Sequence, residues 1–322
     1  MEHEAVLITN DAVVLGLLCL ILGLVFYTER SDHPFWQRFY RYVPGLLLCY
    51  FLPSLLNTFR IVDPEQSRLY FVSSRYLLPA CLVLLILSVD LRAIARLGHK
   101  AVIMFLTGTT GIVLGGPLAL LLVGWISPET VGGQGPDAVW RGMTTIAGSW
   151  IGGTGNMAAT SEMLGTPPEQ FGLAVLADNV IYIVWLPLLL MSRDFATRFN
   201  RWARVPEERL AAMDEAAELH VEDDQAPTMP QYLFLVAIVI GITWIGTSLA
   251  PGIAAWIAAG VPALSPVFGV STVRILLVTT IALLLSATPV SRLPNSTAMG
   301  TAMIYIFVAG MGARASVEGL AE

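Results

Sequence analysis

The sequence predicts an all-α polytopic membrane protein, built as an inverted-repeat transporter fold around a discontinuous helix. First, 55% of the residues are hydrophobic and only 13% are charged, whereas soluble domains carry about a quarter charged residues. Second, the apolar residues fall into runs close to the roughly 20 residues that a spanning helix needs. Third, one such run contains residues 148–156, GSWIGGTGN, and four of these nine residues are glycine.

Composition also excludes several classes of protein. The net charge is −6 and no basic cluster is present, so no nucleic-acid partner is expected. The three cysteines lie in apolar runs and the four histidines in polar or boundary segments, which predicts neither a disulfide framework nor a metal centre built on them. The apolar run Ala12–Tyr27 has no basic region before it and no cleavage pattern after it, so we interpret it as a retained span.

The first part of the chain, 1–192, is expected to form the first transmembrane repeat. Between its first two spans, Thr28–Tyr42 mixes arginines with aromatic residues, which is typical of a helix lying at the lipid headgroups. The predicted spans are Ala12–Tyr27, Pro44–Phe59, Tyr76–Asp90, Ala101–Trp125, the run that holds 148–156, and Phe171–Met191.

The rest of the chain is expected to form a polar linker, 193–229, and the start of a second repeat, 230–322. The linker carries many charges and is predicted to be a water-exposed helix. The uncharged segment Pro251–Val270 contains several prolines and is predicted to be an irregular or re-entrant connection. The spans predicted here are Tyr232–Leu249, Ile275–Val290 and Ala298–Met311.

The order of spans in the second part matches that of the first at a lag of roughly 220 residues, as in transporters with internal repeats. On this interpretation, about 90 to 100 residues of the second copy are missing from the sequence. A naturally asymmetric protein is the alternative. An inverted repeat needs an odd number of crossings between equivalent points, and six spans in one copy is even. Pro251–Val270 is our candidate for an extra crossing.

Asp178 lies inside the apolar run Phe171–Met191, directly before Asn179. A carboxylate inside a membrane span costs roughly 3 kcal/mol and typically marks an ion or proton path. Tyr182 follows Asp178 by one helical turn and shares its face, so we expect it to hydrogen-bond the acid. These three residues form the predicted ion-coupling group. In the structural alternative, Asp178 caps the broken helix beside it.

A helix broken at glycine exposes both kinds of backbone group. Freed carbonyls, with the side-chain oxygens of Ser149, Thr154, Asn156 and Asp178, suit a hard cation such as Na⁺. Freed N–H groups at the start of the second half suit an anion. Bound Na⁺ is the one cofactor considered. The predicted solute-binding residues are Gly148, Ser149, Trp150, Gly152, Gly153, Thr154, Gly155 and Asn156.

Other aromatic and charged residues have interpretations that do not involve the site. Trp150 would either stack against an organic solute or serve in packing. Glu162, beyond the break, is expected near the water interface. Asp90 and Arg92 end a span and are expected to be interfacial charges.

Three stretches carry a resemblance to a known family: LLPACLVLLILSVDL, IAGSWIGGTGNMAATSEMLG and LADNVIYIVWLPLLL. They resemble the bacterial domain-of-unknown-function family 819, grouped with the cation:proton antiporter and bile-acid sodium symporter superfamily. The resemblance implies panel and core domains, two crossed discontinuous helices, elevator-like alternating access, a homodimer formed through the panel domain, and location in the bacterial inner (cytoplasmic) membrane. Antiporters of that superfamily carry paired acids, or Asn before Asp. Asp178 before Asn179 departs from this pattern and disfavours simple proton antiport.

We therefore expect a non-enzymatic, ion-coupled transporter, driven by Na⁺ or H⁺, that moves a small anionic solute across the bilayer. The alternative within transport is a cation:proton antiporter with Asp178 as the titrating group. The alternative of another class is a membrane enzyme acting on lipid-linked substrates. The sequence lacks HExxH, GxSxG and P-loop motifs, which disfavours the enzyme.

Overall fold

The structure, a computed structural model, describes residues 7–63, 67–89, 91, 98–135, 138–202 and 228–316. Its regular elements within these ranges are helical, apart from an isolated bridge between Ile8 and Val62. The longer helices are α1 (Asp11–Glu29), α2 (Pro34–Tyr40), α3 (Gly45–Thr58), α4 (Leu69–Leu87), α5 (Gly98–Ile126), α6 (Trp140–Leu164), α7 (Pro168–Trp202), α8 (Met229–Gly260), α9 (Val270–Ser286) and α10 (Ser296–Gly312). The prediction of an all-helical protein is confirmed for the described residues.

Five of these helices, α1, α4, α5, α7 and α8, are long and apolar enough to cross a membrane, and α2 with α3 forms a sixth candidate bent by 90°. The bend fits the prediction of an interfacial segment before the second span. His33 caps α2 by accepting a hydrogen bond from the Phe35 N–H at 3.2 Å, and Pro34 occupies the first turn, a combination that starts a new helix at this point.

Several helix boundaries differ from the predicted ones, α9 among them, because it runs from Val270 to Ser286 and not from Ile275 to Val290. The helix that begins at Met229 continues through Pro251 to Gly260, so the segment predicted to be irregular from Pro251 is largely helical. Membrane helices accommodate proline because neighbouring groups satisfy the freed carbonyl. Helix α4 begins seven residues before the predicted Tyr76 and contains a π-helical turn at Ser73–Leu77. Such turns occur where an extra residue enters a helix.

Helix α7 also extends past its predicted end at Met191, because it continues to Trp202. Most of the predicted linker falls in residues 203–227, outside the described part of the chain. Asp90 and Arg92, the predicted interfacial charges, are likewise outside it.

Helix α4 lies at the centre of the molecule. Its residues from Leu78 to Leu84 are all buried, and they pack with α8, α9, α10 and the second half of α6 in two adjoining apolar clusters. Helix α5 differs most from α4 in burial, because none of the residues in its apolar, membrane-length stretch is buried. An apolar helix with no buried residue presents its surface to lipid or to another protein.

Tyr50 of α3 fixes the start of α7. Its ring is 1% exposed, and it fills the space where a Cβ on Gly172 would lie, 2.5 Å from the Tyr50 Cζ. The Tyr50 hydroxyl donates a hydrogen bond to the carbonyl of Pro168. On its other side, the Tyr50 backbone packs directly against Gly312 of α10. These close approaches tie α7 to the core before it reaches the candidate site.

Candidate functional site

The predicted break in the glycine-rich helix is present, and it lies at Gly153. Within α6, Gly153 has φ 78° and ψ −168°, outside the helical region. This backbone conformation is accessible to glycine and strongly disfavoured for other residues. Gly153 therefore divides α6 into a first arm, 140–152, and a second arm, 154–164.

The two arms fold back on each other. A Cβ on Gly148 would lie 2.9 Å from the Thr160 Cγ2 and 2.9 Å from the Asn156 carbonyl oxygen. The hydroxyls of Thr145 and Thr166 are hydrogen-bonded at 3.2 Å. In a straight helix, residues 148 and 160 would be about 18 Å apart. We name α6 the re-entrant hairpin, with residues 150–156 as its tip. This geometry differs from the crossed helix that the family resemblance implies, because close glycine packing lets the arms lie side by side.

Helix α7 runs alongside the first arm in the same direction. The Cβ position of Gly142 lies 3.7 Å from the Gln170 carbonyl oxygen, and further along Ser149 meets Asp178. The Ser149 Oγ donates a hydrogen bond to the Asp178 Oδ2 at 3.0 Å. Both side chains are half-buried. The acid of the second predicted motif therefore lies beside the tip of the first.

The tip exposes two opposite helix ends. Because Gly153 interrupts the helical pattern, carbonyls at the end of the first arm and N–H groups at the start of the second lose intrahelical partners. The partial charges are negative at the first end and positive at the second. One small region therefore offers groups for both a cation and an anion.

The donor set fits a hard cation in part. Asp178 and Ser149 supply oxygens that lie together. The side chains of Thr154 and Asn156 make no hydrogen bond to the described residues, and Asn156 packs over Gly152, whose Cβ position is 2.6 Å from the Asn156 Cγ. The described residues contain no group of three or more His, Cys, Asp or Glu side chains able to hold a metal. Any Na⁺ here would be held by Asp178, Ser149 and backbone carbonyls.

The structure also gives the exposure and the partners of three more predicted site residues. Tyr182 is 51% exposed and makes no hydrogen bond to Asp178 in the described part of the chain, because Ser149 is the bonded partner instead. The Asn179 amide is buried and donates to the Val175 carbonyl at 2.7 Å, which satisfies it within its own helix. Trp150 lies 6.4 Å from Trp185 between ring centroids, so it packs against α7 beside the acid.

The sequence did not predict the surroundings of Glu162. This residue was expected near the water interface, but its side chain is 9% exposed and lies 3.5 Å from the guanidinium of Arg274, itself 4% exposed. Tyr70 and Ser271 also donate hydrogen bonds to its carboxylate, at 2.8 and 3.2 Å. The signal that identifies this cluster is Arg274, which belongs to the apolar helix α9 because that helix begins at Val270.

The fold and the site together define a helical, multi-pass membrane protein with a re-entrant hairpin beside an acid-bearing helix. The family model described as "Protein of unknown function (DUF819)" matches residues 16–322. The chain belongs to this family, which confirms the family resemblance.

A curated relative has 30% identity over 154 residues, and it is the "Uncharacterized membrane protein YjcL" of Bacillus subtilis (strain 168). The aligned part is 47% of this chain and 36% of YjcL, so it spans about a third of that protein's length. No solved structure matches the chain.

Proposed function

We propose that the protein is a secondary transporter that couples Na⁺ or H⁺ to the movement of a small anionic solute. The observation that carries the proposal is the contact between Asp178 and Ser149 at the tip of the re-entrant hairpin. In this proposal, Asp178 binds the coupling ion and the tip binds the solute. The hairpin moves by elevator-like alternating access, in the bacterial cytoplasmic membrane.

The cost of an intramembrane acid supports the role of Asp178. An acid within an apolar span costs roughly 3 kcal/mol and is retained where it serves an ion or proton path. Asp178 is half-buried, and its side-chain donors, the Ser149 hydroxyl and the Trp150 side chain, are both neutral. A carboxylate has about four acceptor sites, so Asp178 retains capacity for an ion or a proton.

The helix ends at the tip support an anionic solute. Secondary transporters place the N-terminal ends of broken helices against anionic substrate groups, and carbonyls against the coupling ion. The second arm begins at Thr154 beside Gly155, and its first N–H groups lie at the tip. A carboxylate on the solute fits this end of the arm, while the cation occupies the side that holds Asp178.

Uptake by proteoliposomes tests the proposal. We would use a panel of radiolabelled mono- and dicarboxylates, with an inward gradient of Na⁺ or of protons, or with neither. We expect gradient-dependent uptake of at least one carboxylate and its loss in Asp178→Asn. Glu169→Gln, an acid at the start of the same helix, is the matched control and should retain uptake. Normal ion-dependent uptake by Asp178→Asn would refute the role of this residue.

Cation:proton antiport is the second candidate, and the remaining acceptor capacity of Asp178 favours it too. An antiporter would dissipate a pH gradient when Na⁺ or K⁺ is added without any solute, as followed by acridine orange fluorescence. A symporter requires the carboxylate in the same assay. Turnover of a lipid-linked substrate without transport would replace both proposals by an enzyme.

We also propose that the protein forms the homodimer that the family resemblance implies. Cross-linking in native membranes tests this proposal.

A further inference from the structure

A cluster of buried charged and polar residues lies at the far end of the hairpin from the tip. Glu162 of the second arm accepts hydrogen bonds from Tyr70 of α4 and Ser271 of α9, and it pairs with Arg274. A second contact joins the same segments, because the Thr272 hydroxyl donates to the Met163 carbonyl at 3.1 Å. The end of the second arm is thus attached to α9 and α4 at adjacent residues.

The buried pair is weak support for stability by itself. Replacing such a pair by apolar residues is often neutral or stabilising, while removing one partner is strongly destabilising. In some proteins such a buried pair fixes one arrangement of two elements. Here the two elements are the second arm, which leads directly to the tip, and α9.

The geometry also indicates that the contact between Arg274 and Glu162 is long and that part of the guanidinium lacks a partner among the described residues. The Arg274–Glu162 distance of 3.5 Å is longer than the roughly 2.7–2.9 Å of strong charge-assisted hydrogen bonds. The Arg274 Nε is buried and has no partner among the described residues. Arg314 stacks over the Tyr70 ring at 3.9 Å and Arg75 lies close enough to repel Arg274, so arginines outnumber the acid around Glu162. Loss of the Glu162 charge would leave Arg274 buried without its counterion.

We propose that Glu162 and Arg274 are positioning residues that latch the second arm to α9 and thereby hold the hairpin tip beside Asp178. This inference deepens the proposed function and rests on it, because it identifies the contact that must open when the hairpin moves. Neither residue lies at the tip, where the coupling ion and the solute are proposed to bind. The latch acts through the second arm, which packs its buried face, including Ala158 and Ala159, against α4 and α10.

The reactivity of a buried cysteine on the second arm tests the latch. Ala159→Cys places a thiol on this face, where Ala159 is 6% exposed. Native Cys49, fully buried in a different cluster near α1, is kept as the reporter of global unfolding. Cys19 and Cys81 are replaced. Labelling by a maleimide without solute reports the population of the opened arm, since a buried thiol reacts only when its surroundings open.

We expect Glu162→Gln and Arg274→Gln to raise the Ala159→Cys labelling rate by about tenfold or more beyond any rise at Cys49, which reports the accompanying loss of global stability. The double variant should recover thermal stability, because no buried charge is left unpaired, yet should still label rapidly. Asp11→Asn, which changes an acid bonded to Ser67 outside the hairpin, is the matched control and should label slowly.

Two results would overturn the latch. One is unchanged labelling at position 159 in the single variants. The other is a parallel rise at 159 and at Cys49 that the double variant reverses at both positions, which is the behaviour of a pair that only stabilises the fold. The labelling needs no solute, so it succeeds or fails independently of transport. Asp178→Asn should abolish uptake without changing the labelling, and this separates failure of the latch from failure of the proposed function.

Discussion

Two carboxylates lie at the re-entrant hairpin, one beside it on α7 and one on its second arm, and their surroundings differ. Asp178, beside the tip, is half-buried and has only neutral side-chain donors, Ser149 and Trp150, among the described residues. Glu162, at the far end of the second arm, is nearly covered and is held by a tyrosine, a serine and an arginine. Both are acids near apolar helices, yet one has free acceptor capacity and the other has almost none.

The Asp178 carboxylate therefore has acceptor sites left for an ion or a proton, whereas the acceptor sites of Glu162 are mostly occupied by protein donors. A carboxylate whose acceptor sites are filled by protein donors fixes the position of those donors. A carboxylate with unfilled sites can exchange ions or protons without breaking the fold. The hairpin therefore combines a structural anchor at one end with a chemically open site at the other.

The hairpin geometry on which this comparison depends can be tested with an all-or-none result. In a background without Cys19, Cys49 and Cys81, we expect Thr145→Cys with Thr166→Cys to form a disulfide readily, because their hydroxyls are 3.2 Å apart. A straight helix would separate these positions by about 30 Å. Mobility on a non-reducing gel, before and after proteolytic cleavage between the arms, measures the bond.

Thr144→Cys with Thr166→Cys is the matched control, since Thr144 is exposed and turned away by one residue. It should cross-link poorly. Equal cross-linking of both pairs, or of neither, would contradict the folded-back arrangement.

The largest energetic contrast should appear when each acid loses its charge. Glu162→Gln leaves Arg274 buried without its counterion, which should lower the free energy of unfolding by about 3–5 kcal/mol. Asp178→Asn keeps an oxygen that accepts from Ser149, so its effect should stay within about 0.5 kcal/mol. Reversible unfolding in mixed micelles measures both. Equal losses would remove the distinction between anchor and open site.

Substitution at the break should have an intermediate effect. Gly153→Val forces a β-branched residue into φ 78°, a strain of about 1–3 kcal/mol. Gly111→Ala in α5, where nothing lies within 4 Å of the added Cβ, should be neutral or stabilising by up to about 1 kcal/mol. Thermal unfolding compares the two. A neutral Gly153→Val would show that the tip does not require the left-handed conformation.

The smallest effect concerns the contact at the site itself. Ser149→Ala removes one hydrogen bond to Asp178, worth about 1 kcal/mol. We expect little change in stability and a several-fold higher ion concentration for half-maximal uptake, because the hydroxyl helps to orient the carboxylate. Ser161→Ala, on the other arm, is the matched control. A shift of the same size in Ser161→Ala would assign the effect to the hairpin as a whole.

The features predicted correctly from the sequence have local signals. The glycines of 148–156 occur together with small polar residues and indicated the break, and Asp178 stands out because its neighbours are uncharged. Glycines alone are not sufficient, because the four within 108–116 leave α5 unbroken. The fold-back of the arms has no such signal. It depends on the approach of Gly148 to Thr160, and glycine alone does not specify whether a broken helix continues or returns.

The Glu162 cluster could not be found for a related reason. Its partners, Tyr70 and Arg274, are 92 and 112 residues away in the chain, and nothing local pairs them. Pro251 is the opposite case, because its local signal is strong but misleading. Proline usually ends a helix, yet α8 continues through Pro251 in its apolar surroundings.

The returning hairpin also has a consequence for the sidedness of the protein. The connection before the first arm, 127–139, and the turn after the second, 165–167, must face the same aqueous compartment, because the arms leave together. The hairpin then adds an even number of crossings, and α1, α3, α4, α5 and α7 leave an odd total before residue 203. On the inverted-repeat interpretation, the additional crossing expected at Pro251 is then not required. One impermeant reagent, applied from one side, should reach both connections or neither.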